Sequence, residues 1–172
     1  MCSVNFQVLG DSSSCTPLGC VSAHGFVLSS VSPVFRNQIF GPLKTIHGSK
    51  TINVFKTSLG AVTNFVKIIY GDYSGLNKDI LEMFEILDLA DFYIIDEVKS
   101  KVISAIQSCL SLENSTAVLE SAATFGHNSE VTADLMVGCG QFLENQGVKV
   151  GDSLALPFLF FKLCLLSLNC DN

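Results

Sequence analysis

The hydrophobic pattern changes period along this chain, and that change limits the folds open to it. Residues 4–9 (Val-Asn-Phe-Gln-Val-Leu) alternate apolar and polar, which predicts a half-buried strand. A second extended stretch around Cys20-Val21-Ser22 leads into His24, and residues 24–31, with Phe26, Val27, Leu28 and Val31, predict a short helix buried on most sides. Ser32-Pro33 reads as a helix start, Ser as N-cap and Pro at the first helical position. Val34, Phe35, Ile39 and Phe40 supply that helix's apolar face, and Gly41-Pro42 ends it. Residues 51–55 predict a further strand.

From there the period lengthens. Val62, Phe65, Val66 and Ile69 fall at i, i+3, i+4, i+7 in a helix over 58–70, which Gly71 through Gly75 break. The next helix, from about Asp79, carries Ile80, Met83, Phe84, Leu87 and Ala90 on one face, and another over 96–110 carries Val98, Val102, Ala105, Ile106 and Cys109. Helical patterns also cover 115–124 and 129–145, the second with Val131, Leu135, Cys139 and Phe142. Strands mixed with helices, then helix after helix, predict an α+β domain followed by an all-α extension, with the break near 110–113.

Composition narrows the function classes. With 48% hydrophobic and 15% charged residues the chain buries a sizeable core and is not intrinsically disordered. Ten Lys and Arg against 16 Asp and Glu, with no basic run, argue against a nucleic-acid groove. The seven cysteines (Cys2, Cys15, Cys20, Cys109, Cys139, Cys164 and Cys170) are odd in number and lack zinc or redox spacing, which points to reduced thiols in the cytoplasm, with the nucleus as the alternative compartment. The N-terminus shows no basic and apolar signal-peptide pattern. The apolar run from Leu154 to Leu168, interrupted by Pro157, Lys162 and Ser167, is shorter than the roughly 20 residues of a membrane span, and a core or interface helix is the expectation there.

No residue pattern predicts catalysis or a cofactor. His24, His47 and His127 have no partner at metal-binding spacing, and neither a nucleophile elbow nor a phosphate-binding glycine loop is present. His24 reads as a core or cap histidine with an internally satisfied ring. Glu82/Glu85 and Asp88/Asp91 stand three apart on a helix and read as a solvated charged face. Gly138-Cys139-Gly140 interrupts a helical pattern and reads as a place of close helix packing.

The stretch Val21-Ser-Ala-His-Gly-Phe-Val-Leu-Ser-Ser-Val-Ser-Pro-Val-Phe35 resembles the signature of BTB/POZ domains, an Ala-His, a helix, and then Ser-Pro-x-Phe. The likeness continues in register through Phe65-Val-Lys-Ile-Ile-Tyr70-Gly and Leu87-Asp-Leu-Ala-Asp-Phe-Tyr93 to Val98. Cys109-Leu-Ser-Leu-Glu-Asn114, Val118-Leu119 and the helix from 129 are similar to the start of a BACK extension, as in BTB-BACK proteins without Kelch repeats. The resemblance implies a BTB/POZ fold over 1–112, a short mixed sheet with a helical cluster, and a partial BACK-like helical region over 113–172.

It also implies a protein-interaction domain rather than an enzyme: a substrate adaptor for a cullin-3 RING ubiquitin ligase, able to homodimerise. The alternative is an oligomerising scaffold or transcription-linked protein that does not bind cullin. Carried over residue by residue, the family's cullin contacts fall on Ile39, then Leu43, Lys44 and Thr45, then Asn64 and Tyr70. Thr45 stands where the family's motif has Glu. Gly25 stands where many members carry Lys or Arg, and no Asp precedes the first strand, so the charged pocket of the transcriptional branch is missing.

Overall fold

A computed structural model describes residues 3–9, 17–41, 51–76, 79–124 and 130–145. The chain divides into two compact units, Met1–Ala105 and Ile106–Asn172. In the first, β1 (Ser3–Leu9) lies between β2 (Pro17–His24), to which it runs antiparallel, and β3 (Thr51–Phe55), to which it runs parallel. The period-2 pattern of β1 sets the register. Val4, Phe6 and Val8 are buried. They pair with Ala23, Val21 and Gly19 on one side, and Phe6 and Val8 pair with Ile52 and Val54 on the other. A one-residue slip would turn this whole apolar row to solvent. At Gly19 a methyl group would lie 2.6 Å from the Leu59 side chain, so the glycine admits the start of α3 against β2.

Helices α1 (Gly25–Val31) and α2 (Pro33–Phe40) follow β2, and α3 (Leu59–Ile69), α4 (Ile80–Phe92) and α5 (Asp96–Ser108) follow β3. Ser32 caps α2 as its sequence predicts, its Oγ accepting from Phe35 N–H at 3.1 Å. The same hydroxyl donates to the Tyr93 carbonyl at 2.6 Å, tying α2 to the end of α4. Around that tie sits an aromatic cluster. Tyr93 stacks on Phe35 (centroids 3.9 Å, 20°) and lies 5.9 Å from Phe65, while Phe6 meets Phe35 edge-on at 5.7 Å. Such pairs contribute about 0.5–1.5 kcal/mol beyond the area they bury.

Several expectations are corrected here. Helix α1 is not buried on most sides: Leu28 and Ser29 are buried, but Phe26 is 78% exposed, because seven residues offer only one inward stripe. Phe40 is largely exposed at the end of α2, and α3 buries Ile68 more fully than Ile69. Glu82 and Glu85 are not a solvated face. Glu85 Oε2 accepts from the Ser58 N–H (2.9 Å) and Oγ (2.6 Å), and Glu82 accepts from the Asn64 amide, so both carboxylates of α4 hold α3. Asp88 and Asp91 are exposed, as expected; Asp91 pairs with Lys99 at 3.3 Å, and partial burial, with the like charges of Asp91 and Glu85 behind it, holds the Asp88 carboxyl above its usual range.

The second unit contains the end of α5 with α6 (Ser115–Thr124) and α7 (Glu130–Asn145). Ile106, Val118, Leu119, Ala122, Leu135, Cys139 and Leu143 are buried. Helix α7 runs without a break through Gly138-Cys139-Gly140. A methyl group at Gly138 would lie 2.7 Å from Gln107 Nε2, which donates to the Asp134 carbonyl at 3.3 Å. Close packing at this glycine is therefore present. Cys109 falls one residue beyond α5 and is half-buried rather than part of a helical face. Burial pushes the Cys139 thiol up to about 11. The apolar run 154–168 lies outside the described residues. Among the described residues no helix is long and apolar enough to cross a membrane.

Candidate interaction surface

Two helix ends of the first unit meet at Tyr70, the C-cap of α3. Its hydroxyl oxygen accepts the His24 backbone N–H at 2.8 Å and lies 2.7 Å from His24 Nδ1. Which of the two donates across the Nδ1 contact depends on the imidazole tautomer. His24 thus sits at the N-cap position of α1 with a satisfied ring, as the sequence led us to expect, though it is exposed rather than in the core. The two hydrogen bonds fix Tyr70 while leaving 45% of it open to solvent.

The other sequence-derived contact residues are placed differently. Ile39 is 5% exposed, so its side chain supports α2 from within. Asn64 is half-buried, its amide donates to Glu82, and Gly75 packs so closely on it that a methyl group there would lie 2.6 Å from the amide. Leu43, Lys44 and Thr45 lie outside the described residues. Among the described members only Tyr70 presents a large open surface.

Beside Tyr70 the surface dips into a groove of about 570 Å³, lined among others by Val31, Tyr70, Tyr73, Ile94, Asp96 and Glu97. Two matching backbone turns shape it. Helix α3 ends in a Schellman motif, with Gly71 N–H to the Ile68 carbonyl and Asp72 N–H to the Lys67 carbonyl, and Gly71 holds the left-handed conformation at φ 87°. Helix α4 ends in the same motif, with Ile94 N–H to the Asp91 carbonyl and Ile95 N–H to the Ala90 carbonyl. There the left-handed residue is Ile94, at φ 54°. A β-branched side chain in that region is a genuine outlier, costing roughly 1–2 kcal/mol. Sequence reasoning missed Val31, Tyr73 and Ile94 as surface residues. An apolar residue at a helix end looks like any other core position until the φ angle is known.

Among the described residues no group of three or more His, Cys, Asp or Glu is placed to hold a metal ion. The groove brings exposed aliphatic and aromatic side chains together with polar groups, among them the carboxylates of Asp96 and Glu97.

The BTB/POZ domain family model matches residues 19–110. Two curated Arabidopsis thaliana proteins are similar. BTB/POZ and TAZ domain-containing protein 2 is 30% identical over 107 residues, 59% of this chain and 29% of that protein. BTB/POZ and TAZ domain-containing protein 1 is 28% identical over 142 residues, 81% of this chain and 37% of that protein. The chain thus spans about a third of the length of the curated relatives it matches.

Proposed function

The chain belongs to the BTB/POZ domain family, a family of protein–protein interaction modules, and from that premise we propose that it acts as a substrate adaptor for a cullin-3 RING ubiquitin ligase. The observation that carries the reading is Tyr70: a large aromatic at the end of α3, fixed by His24 and open to solvent, at the position where the family resemblance puts a cullin contact. Aromatic side chains with low conformational freedom are the common anchors of interfaces. Leu43 adds an apolar contact in this proposal, and Ile39 and Asn64 act from behind by fixing α2 and α3. Residues 1–112 form the interaction domain of this adaptor, and 113–172 continue it as a partial BACK-like helical region. The adaptor forms homodimers and works in the cytoplasm or nucleus. Both relatives are named for a TAZ domain as well as a BTB/POZ domain.

Thr45 weakens the cullin contact relative to a Glu at that position. A charge-assisted hydrogen bond contributes about 1.5–3 kcal/mol, or roughly 10- to 150-fold in affinity. Replacement Thr45→Glu is therefore expected to tighten binding of the cullin-3 N-terminal domain at least about tenfold, read by biolayer interferometry on the full chain. Equal affinity of wild type and variant would remove the motif from the interface. The second reading, an oligomerising scaffold, rests on the exposure of Phe26 on α1, and is favoured if the chain self-associates and neither form binds cullin.

A further inference from the structure

We propose that the outward face of α4 docks a partner helix carrying a hydrophobic residue at each end of the contact and lysine or arginine between them. This rests on the interaction-module reading, and none of the residues of this face is among the proposed cullin contacts. Leu81, Glu85, Asp88 and Phe92 follow one another on α4 at i, i+4, i+7 and i+11. At 3.6 residues per turn they fall within an arc of about 60°. On the opposite side Met83, Ile86, Leu87 and Ala90 are buried. The alternating steps of four and three are those of a helix–helix seam, where each such residue meets a helix lying alongside.

The stripe is apolar at both ends. Leu81 and Phe92 are each 65% exposed and stand about 16 Å apart along the helix axis. One exposed leucine on a surface is ordinary, but two large hydrophobics closing a single stripe form a pair of anchors. The Phe92 ring stands edge-on to the buried Tyr93 at 5.0 Å and 89°, so a core residue orients one of them. The helix beneath is fixed too. Asp79 caps it by accepting from Leu81 N–H at 2.9 Å, and Glu82 and Glu85 hold Asn64 and Ser58. A face ordered before contact loses little freedom on binding.

Between the anchors the stripe is anionic. Asp88 is exposed, and its carboxylate makes no hydrogen bond or ion pair among the described residues, where the ion pairs are those of Lys99 with Asp91 and Asp96. The like charges of Glu85 and Asp91 crowd it. A cation supplied by a partner relieves that crowding. The sign of the charge also decides against other occupants. A second copy laid on this face would set Glu85 and Asp88 against the same carboxylates, and a phosphate-rich surface would meet like charge. A basic pair flanked by apolar residues matches both the ends and the middle.

The test uses the full chain and two fluorescein-labelled, alanine-rich helical peptides. One carries leucine, lysine, lysine and leucine at i, i+4, i+7 and i+11; the other has glutamates in place of the lysines. Fluorescence polarisation measures affinity, and amide NMR shifts locate the site. The expected result is that the lysine peptide binds at least about tenfold more tightly than the glutamate peptide and shifts the amides of Leu81, Asp88 and Phe92. Phe92→Ala should lose about tenfold or more in affinity for it. Asp88→Lys should reverse the preference while its melting temperature stays equal or rises, because a crowded carboxylate is removed. That combination separates recognition from folding. Tyr70→Ala should bind the lysine peptide as wild type does.

Equal binding of the two peptides, no binding of either, or full binding of the lysine peptide by Asp88→Lys would each overturn the proposal. Loss of binding in Tyr70→Ala would do so as well, by moving the peptide to the proposed cullin contact. Concentration-dependent shifts of the α4 amides in the chain alone would give the face to a second copy and end the proposal in the same way. Cullin binding itself is read in a separate titration, so either reading can fail alone.

Discussion

Tyr93 is the residue on which most of the first unit converges. It is 2% exposed, stacked between Phe35 and Phe65, and its carbonyl takes the Ser32 hydroxyl. Burial pushes its phenol from 10.0 up to about 12, and in the second unit burial pushes the Cys139 thiol from 9.0 up to about 11. Both groups are held neutral, so the folded state keeps the proton longer than the unfolded chain does. The stability they lend is fully present below the ordinary values and is lost as pH rises through the folded ones. Urea midpoints should therefore be steady between about pH 7 and 8.5 and fall steeply from pH 9 to 12, each group contributing up to about 2–3 kcal/mol to the loss. A midpoint unchanged at pH 11 would show that neither side chain is sealed from water.

At the level of elements, two serines cap helices and carry different loads. Ser32 Oγ caps α2 and also satisfies the buried Tyr93 carbonyl; Ser58 Oγ caps α3, accepting from Ala61 N–H at 3.1 Å, and donates to the accessible Glu85. Ser32→Ala removes a cap and strands a buried acceptor, an expected cost of about 2–3 kcal/mol. Ser58→Ala removes a cap whose partner water can replace, an expected cost of about 1 kcal/mol. Denaturant titration of the two variants checks the order, and a larger loss for Ser58→Ala would contradict it. Ser32 was legible in the sequence, because Ser-Pro before an apolar run is a local signal. So were β1, β3 and the inward faces of α3 and α4, whose periodicity is local too. The role of Glu82 and Glu85 was not, because a carboxylate pair at i+3 looks the same whether water or a neighbouring helix meets it. His24 and Tyr70 stand 46 residues apart, and no spacing rule joins them. Ile94 carries its information in a backbone angle, which composition and pattern do not encode.

For the whole molecule, the first unit is an interaction module whose exposed aromatics and strained turn gather on one side of the α3 and α4 ends, while the family likeness fixes its register from Gly19 to Leu110. That side offers recognition chemistry: exposed hydrophobic side chains, a tyrosine fixed by His24 and two carboxylates. The proposed cullin contact rests on Tyr70 and Leu43 without the usual Glu, so a reduced affinity is expected. Isothermal titration calorimetry of the full wild-type chain against the cullin-3 N-terminal domain measures this most directly. The expected result is a saturable one-to-one isotherm in the micromolar range that Tyr70→Ala weakens at least about tenfold. Absence of heat at about 100 micromolar, with the chain folded and Thr45→Glu equally silent, would contradict the adaptor function.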